Sequence, residues 1–329
     1  SGPGRQLSPV VRRLLSEHNV DPDSVVGTGP QGRITREDVL ALGERRAATA
    51  PAPPSLSPVV RRLLAEHRLD PATLRATGPQ GRLTRRDVED AIASGDQVVP
   101  FTRIRRATAE HMVRSKATSA HTLMVREVDY ENVEATRRRL GPAFKEAEGF
   151  SLTYLPFNAA ATLSALGDFP HLNASVGEDA LVVHRELNLA IAVDLDEEGL
   201  VAPVVHRADR LDLRSLARAL RDVATRARAK SLGVDDMTGG TFTITNPGPF
   251  GTLLTGAVIN QPQVAILSTD AVTRRPVVVS DDGDEAIAIH SVGLLALTFD
   301  HRAVDGAYAA RFLARISEIL ATRDWSSEL

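Results

Sequence analysis

The feature that most constrains how this chain can fold is an internal repeat near its start. The segment LSPVVRRLL at 7–15 recurs unchanged at 56–64, and TGPQGR at 28–33 recurs at 77–82, so the two copies are offset by 49 residues. A fixed period of this size indicates one small supersecondary unit used twice.

Each copy is predicted to be a helix-loop-helix unit. A serine followed by proline is a typical helix start, and a threonine with an acidic residue three positions later is a typical start for a second helix. The Gly-Pro-Gln-Gly stretch between the helices predicts a tight loop. The paired positions are Ser8 and Ser57 as first caps, His18 and His67 at the first helix ends, Thr35 and Thr84 as second caps, and Asp38 and Asp87 as the acidic partners.

The repeat and its Ala/Pro-rich surroundings suggest where the chain divides into domains. The stretch at 43–55 has the composition of a semi-extended linker, and a shorter linker precedes the large C-terminal region. The predicted divisions are a disordered tail at 1–6, a first helical module at 7–42, a linker at 43–55, a second module at 56–93, a linker at 94–99 and a large domain at 100–329.

Composition narrows the classes of function. The net charge of −3 argues against nucleic-acid binding, although 14 Arg against 11 acidic residues through Gly95 make the repeats mildly basic and suited to an acidic protein partner. With no Cys there are no thiolate metal ligands, and no metal site is expected. The missing Cys also favours a cytoplasmic location, and no apolar run is long enough to span a membrane.

The C-terminal region shows strand and helix patterns intermingled, which predicts an α/β domain. Predicted strands are 121–130, 187–193, 241–245, 264–267, 276–279 and 287–299. Predicted helices are 133–148, 153–166, 213–229 and 304–321.

One candidate for chemistry stands where the last predicted strand gives way to the last predicted helix. There the chain reads FDHRAVDG at 299–306, so His301 is held between two elements and Asp305 can reach back towards it. A neutral imidazole with a pKa near ~6.5 suits proton removal from a thiol or hydroxyl. Taken alone, a structural histidine bonded to a backbone carbonyl is the simpler interpretation of His301.

Several longer motifs, in order along the chain, give His301 a context. The stretch FDHRAVDG closely resembles the active-site signature of the dihydrolipoamide acyltransferases (E2 components) of 2-oxo acid dehydrogenase complexes. The other matching stretches are FTRIRR at 101–106, MVRSK at 112–116, FPHLNAS at 169–175, GLVAPV at 199–204, GTFTITN at 240–246 and NQPQVAIL at 260–267. The resemblance implies an α/β, two-layer, chloramphenicol-acetyltransferase-like fold for a CoA-dependent acyltransferase, preceded by two small all-α modules.

The resemblance also implies roles for individual residues. His301 would be the general base that deprotonates the thiol of coenzyme A or dihydrolipoamide, and the Thr245 hydroxyl would donate to the oxyanion of the tetrahedral intermediate. Asp305 would support and orient the site. In this family the histidine and the hydroxyl come from different chains of a trimer, so a homotrimer or a larger cage is expected. From the residues alone, Thr245 would be an ordinary strand threonine.

The two repeats resemble the peripheral subunit-binding domain of the same enzymes. That module holds dihydrolipoamide dehydrogenase (E3) or the 2-oxo acid decarboxylase (E1) through basic residues. The matching positions are Arg12, Arg13, Arg33 and Arg36 in the first copy and Arg61, Arg62, Arg82 and Arg85 in the second. For any one of these arginines, a merely solvated position is the alternative interpretation.

The chain also departs from the family pattern. Members usually carry a lipoyl domain and a single binding domain, whereas this chain shows two binding domains and no lipoyl pattern. We therefore expect the lipoyl group to come from a domain outside this chain. Two alternatives stay open at this point: a stand-alone acyl-CoA-dependent O-acyltransferase of secondary metabolism, and a non-catalytic scaffold that holds partner enzymes.

Overall fold

The computed structural model describes residues 56–94, 99–196, 199–281 and 284–329, with positions 11, 27–29, 34–35 and 38 of the first repeat. The chain separates into two compact units, Ser1–Pro100 and Phe101–Leu329.

The second repeat contains two helices, α1 (Pro58–Glu66) and α2 (Arg85–Ser94). The Ser57 hydroxyl accepts a hydrogen bond from the Val60 amide at 3.3 Å, which confirms the predicted first cap. Val60, Leu64 and Val88 form a small buried core between the helices. A core of this size buries little apolar surface, so polar interactions at the helix ends carry more of the stability than in a larger domain.

Asp87 joins the loop to the start of α2 through its carboxylate. It accepts hydrogen bonds from the Thr77 hydroxyl (2.5 Å) and amide (3.1 Å) and from the Thr84 amide (2.8 Å). These bonds, led by the Thr77 hydroxyl, hold the Asp87 pKa well below its ordinary value. In the first repeat Asp38 accepts the equivalent bonds from Thr28 and Thr35. The same threonine–aspartate arrangement is therefore present in both repeats.

The second unit is mixed α and β, as the sequence predicts. Its helices are α3 (Arg103–Thr118), α4 (Glu131–Glu148), α5 (Tyr154–Asp168), α6 (Leu213–Arg228) and α7 (Gly306–Thr322). Its strands are β1 (His121–Asp129), β2 (Ala174–Val176), β3 (Leu181–Val183), β4 (Leu189–Ile191), β5 (Val193–Asp194), β6 (Leu200–Val201), β7 (Val204–Val205), β8 (Phe242–Thr245), β9 (Ala265–Thr269), β10 (Thr273–Asp281) and β11 (Asp284–Asp300).

One seven-stranded sheet organises this unit. Its strand order is β1-β11-β9-β8-β4-β7, and β10 forms a hairpin with the first half of β11. Strand β11 is antiparallel to β1 and β9, whereas β8 is parallel to β9 and β4. The two remaining strand pairs, β2 with β3 and β5 with β6, lie outside this sheet.

The main core lies on one face of this sheet. Alternate residues of β11, namely Leu295, Leu297 and Phe299, belong to it, as the two-residue period of a strand requires. Helix α7 packs its apolar stripe against the same core, and that stripe consists of Ala309, Phe312, Leu313, Ile316, Ile319 and Leu320. Trp325, just beyond α7, is fully buried and stacks edge-on against Phe157 of α5 at 5.3 Å.

One strand prediction was wrong. The sequence predicts a single strand at 187–193, but the structure divides it into β4 in the main sheet and β5 in a separate pair with β6. At the break, the Ala192 amide donates to the Ile244 carbonyl, while the Ile191 amide donates to the Pro203 carbonyl. These long-range bonds turn the chain from one partner strand to another, which the alternation of apolar residues cannot reveal.

Candidate active site

The turn after β11 places His301 at the surface of the second unit. Its amide donates to the Ala120 carbonyl at 2.9 Å, and the amides of Ala303 and Val304 return to the Asp300 carbonyl. The His301 side chain is 46% exposed, and its ring lies 5.7 Å from that of Phe299. The imidazole is therefore accessible although its backbone is fixed from both sides.

Asp305 approaches the imidazole without a direct hydrogen bond. Its Oδ1 lies 4.0 Å from His301 Nδ1, and its side chain is 91% exposed. Asp305 occupies the N-cap position of α7, yet its side chain makes no capping hydrogen bond. The carboxylate therefore lies on the Nδ1 side of the ring, within ion-pair distance but without a hydrogen bond to it.

Asp300, which the sequence analysis did not single out, is the buried anchor of this turn. Its side chain is 1% exposed, and its carboxylate accepts bonds from Arg302 Nη2 at 2.7 Å and Nε at 3.0 Å. The amides of Arg302 and Ala120 donate to the same group at 3.0 and 3.2 Å.

This environment keeps Asp300 ionised. Burial opposes ionisation, but the hydrogen bonds from Arg302, the Ser119 hydroxyl and the two amides outweigh it and lower the pKa to about 2. An ionised Asp300 paired with the Arg302 guanidinium therefore lies next to His301 in the chain. The signal in the sequence was an Asp and an Arg on either side of the candidate histidine.

Thr245 stands elsewhere on the sheet, at the end of β8. It pairs with Ser268 of β9, which in turn pairs with Ala296 of β11. Ala296 precedes His301 by five residues, and Thr245 is two strands away from it. Strand spacing and rise then put the two Cα atoms roughly 20 Å apart within one chain. The structure brings His301 and Asp305 together but leaves Thr245 far from both.

The loop that follows Thr245 is held by a buried carboxylate. Asp270, 5% exposed, accepts bonds from the hydroxyls of Thr252 (2.8 Å) and Thr255 (2.7 Å) and from the Thr255 amide (3.1 Å). The Thr269 hydroxyl bonds to the Asn246 side chain at 3.2 Å. The backbone next to Thr245 is thus fixed, although Thr245 lies far from His301 and Asp305 of the same chain.

Exposed apolar side chains lie on the loop after Thr245 and on the outer strand β1. Phe250, Leu253 and Leu254 of this loop are 79%, 63% and 46% exposed, and Leu123 of β1 is 44% exposed. Helix α3 buries a single residue, Ser115, against the described part of its own chain. An apolar area of this kind is typical of an interface with another subunit.

Of the arginines predicted to bind partners, the structure describes those of the second repeat but not those of the first. Arg61, Arg62, Arg82 and Arg85 of the second repeat are exposed, and Arg85 forms an ion pair with Glu89 at 2.6 Å. Their counterparts Arg12, Arg13, Arg33 and Arg36 lie outside the described residues.

The described residues offer neither a metal-binding cluster nor a membrane-spanning helix. Within the described ranges, no group of three or more His, Cys, Asp or Glu side chains is placed to hold a metal ion. In the part of the chain that the structure describes, no helix has the length and apolar character needed to cross a membrane.

Comparison with protein families identifies the class. Residues 93–325 match the model of the 2-oxoacid dehydrogenases acyltransferase (catalytic domain), and residues 5–40 and 54–89 each match that of the e3 binding domain. The chain therefore belongs to the acyltransferase family of the 2-oxo acid dehydrogenases.

Two curated relatives illustrate the range of this similarity. The chain is 37% identical to the lipoamide acyltransferase component of the branched-chain alpha-keto acid dehydrogenase complex of Bacillus subtilis, over 97% of this chain and 72% of that protein. It is 44% identical to the dihydrolipoyllysine-residue acetyltransferase component of the pyruvate dehydrogenase complex of Mycobacterium bovis, over 98% of this chain but 56% of that protein.

Solved structures agree with the fold. A probable dihydrolipoamide acetyltransferase from Listeria monocytogenes superposes with a TM-score of 0.65 at 36% identity, covering 69% of this chain and 95% of that one. The Azotobacter vinelandii dihydrolipoamide acetyltransferase gives 0.64 at 33% identity, covering 69% and 91%. That structure comes from work on the catalytic role of a serine, a histidine and an asparagine, the last two being four positions apart. The expected α/β acyltransferase fold is confirmed.

Proposed function

We propose that this chain transfers an acyl group between a dihydrolipoyl thiol and coenzyme A in the core of a 2-oxo acid dehydrogenase complex. The observation that carries the proposal is the turn at His301, where an accessible imidazole projects from a backbone anchored by the Asp300–Arg302 pair. Both thiols are substrates that enter from outside the chain, and the lipoyl group arrives on a separate domain.

In this mechanism His301 Nε2 removes the proton of the attacking thiol. The thiolate adds to the carbonyl carbon of the acyl thioester, and the carbonyl oxygen becomes an oxyanion. Collapse of this intermediate breaks the original carbon–sulfur bond, and the departing thiolate takes the proton from His301. General base catalysis of this kind contributes about 10²- to 10⁴-fold to the rate.

Thr245 and Asp305 have supporting roles in the proposal. The Thr245 hydroxyl donates to the oxyanion, a contact that is worth about 3 kcal/mol in the transition state. Asp305 lies near Nδ1 of His301 and favours the tautomer with its proton on that nitrogen, which leaves Nε2 free to accept one. The four-residue spacing of His301 and Asp305 equals that of the histidine and asparagine in the Azotobacter enzyme.

The proposed site is shared between two copies of the chain. A separation of roughly 20 Å is too long for Thr245 and His301 to act on one carbonyl within a single chain. The exposed apolar residues of the loop after Thr245 supply a surface that a second copy can cover. A cyclic trimer brings each His301 to the Thr245 of a neighbour and leaves no surface unmatched.

For the two repeats we propose the binding of dihydrolipoamide dehydrogenase, the 2-oxo acid decarboxylase, or both. The exposed Arg61, Arg62 and Arg82 present positive charge on a unit too small for a large apolar interface. Such charge suits fast association with an acidic protein surface.

The test is an acyl-transfer assay on the purified protein, with acyl-CoA as donor and free dihydrolipoamide as acceptor. We expect transfer by the wild-type chain and a loss of about 10²- to 10⁴-fold in His301→Ala. His206→Ala is the matched control, because this exposed histidine bonds only to the Asp235 carbonyl within the described chain and lies outside the site. Thiol transfer equal in the two variants, or ester formation with a hydroxyl acceptor alone, contradicts the proposal.

A further inference from the structure

The two repeats share their motifs but not their charge. The first module (7–42) contains four arginines and five acidic residues, and the second (56–93) contains seven arginines and five acidic residues. The three additional arginines are Arg68, Arg75 and Arg86, which replace Asn19, Val26 and Glu37 of the first copy. Such a difference is unexpected if both copies take the same partner in the same way.

Two of these arginines border one concave surface of the second repeat. A groove of about 330 Å³ lies between residues 69–77 and helix α2, and its lining includes Leu69, Leu74, Arg75 and the carboxylates of Asp87 and Asp90. The Asp87 carboxylate is already engaged by its hydrogen bonds from Thr77 and Thr84. Arg86 stands beside it, with Nε 3.7 Å from Asp90 Oδ2. We call this the α2 groove.

The ion pair at the edge of the α2 groove is weak. The side chains of Arg86 and Asp90 are 88% and 73% exposed, and pairs this open are stabilised little against water. A carboxylate from another protein can therefore compete with Asp90 for Arg86, and Arg75 offers a second exposed guanidinium in the same groove. Two exposed guanidinium groups at a groove lined by leucine side chains suit an acidic segment that also carries apolar side chains.

The first repeat has different chemistry at the same positions. Arg75, Arg86 and Asp90 correspond to Val26, Glu37 and Ala41 at the 49-residue offset. Its sequence thus replaces both guanidinium groups with an apolar side chain and a negative charge, which repels rather than binds a carboxylate.

We propose that the α2 groove makes the second repeat the tighter site for dihydrolipoamide dehydrogenase, by binding an acidic segment of that enzyme through Arg75 and Arg86. The two repeats are then unequal sites on one chain. This inference rests on the proposed partner-binding function of the repeats and adds the residues that distinguish them.

The test exchanges the groove residues of the full chain for those of its own sister repeat, as Arg75→Val, Arg86→Glu and Asp90→Ala together. Titration calorimetry with purified dihydrolipoamide dehydrogenase should show two unequal sites in the wild-type chain. In the exchanged chain the tighter site should weaken about ten-fold and show a smaller salt dependence, because Arg61, Arg62, Arg82 and Arg85 remain. The reciprocal change, Val26→Arg with Glu37→Arg and Ala41→Asp, should tighten the weaker site.

Arg68→Asn is the matched control. It removes another of the additional charges, but Arg68 does not line the α2 groove, and asparagine accepts its left-handed backbone (φ 53°). We expect less than a two-fold change. An unchanged tighter site in the exchanged chain, or an equal loss in Arg68→Asn, overturns the inference but leaves partner binding intact. Weakened binding of the 2-oxo acid decarboxylase alone also overturns it, and a wild-type chain that binds neither enzyme overturns the proposed function of the repeats as well.

Discussion

At the scale of single residues, the environment of His301 depends on a neighbour that takes no part in bond making. Asp300 fixes the turn through Arg302 and two backbone amides, so the imidazole projects from a backbone that cannot easily shift. This matters for the proposed general base, because even a small displacement of a catalytic group lowers the reaction rate.

Asp300 should make the stability of the fold depend on pH in the acid range. Because its pKa is lowered to about 2 in the folded chain, its stabilisation is fully present above the unfolded value of ~4 and is lost as the pH falls through about 2. We expect this contribution to be about 1–2 kcal/mol, reduced by solvent around the partly exposed Arg302. Urea unfolding of wild type and Asp300→Asn between pH 5 and pH 2 measures it: the variant should show the shallower dependence. If the free energy of unfolding changed with pH in the same way in both proteins, the lowered pKa of Asp300 would be contradicted.

The sequence alone allowed only part of the candidate site to be predicted. His301 and Asp305 could be selected because a histidine between a strand and a helix is unusual and a familiar motif surrounds it. Asp300 could not, since its importance comes from burial against Ser119 and Ala120, more than 170 positions earlier in the chain.

At the scale of elements, the conformation of the loop after β8 depends on contacts with Asp270 that cannot be predicted from the sequence of the loop. Gly248 lies so close to Asp270 that an added Cβ would meet the Asp270 carbonyl oxygen at 2.8 Å. The side-chain carboxylate of Asp270 holds Thr252 and Thr255, so a displacement of the Asp270 backbone by a Cβ at Gly248 would spread along the loop next to Thr245.

Gly248→Ala should therefore lower acyl transfer through a shift of Thr245 rather than through loss of the fold. We expect a fall in kcat of about ten-fold or more, with a small change in the midpoint of thermal unfolding. Gly167→Ala is the control, because Gly167 is exposed near the end of α5, a Cβ there meets nothing within 4 Å, and alanine is a good helix former. Equal kcat values for the two variants would exclude a positioning role for Gly248.

Long periodic elements could be predicted well from the sequence, and short ones could not. Helices α4 to α7 and strands β8 to β11 follow apolar patterns that their residues show directly. Strands β4 to β7 have two or three residues each, and their ends are set by partners such as Ile244 and Pro203 in distant segments. A pattern of so few residues cannot distinguish one strand from two.

At the scale of the whole molecule, the sequence reveals the repeat and the family but not the complete site. The chain spans 72% of its Bacillus relative and 56% of its Mycobacterium relative, and its own fold separates Thr245 from His301. The catalytic unit that we propose is therefore an interface between chains, which no single protomer contains.

Mixed assemblies test this claim most directly. Chains with His301→Ala and chains with Thr245→Ala, each inactive or nearly so alone, are co-expressed with different tags and purified through both. If each site takes its histidine from one chain and its threonine from the next, one interface of a mixed trimer keeps both groups. Because one of the three interfaces is complete, such assemblies should show about a quarter to a third of the wild-type rate. Activity no higher than that of the two variants assayed separately would contradict it.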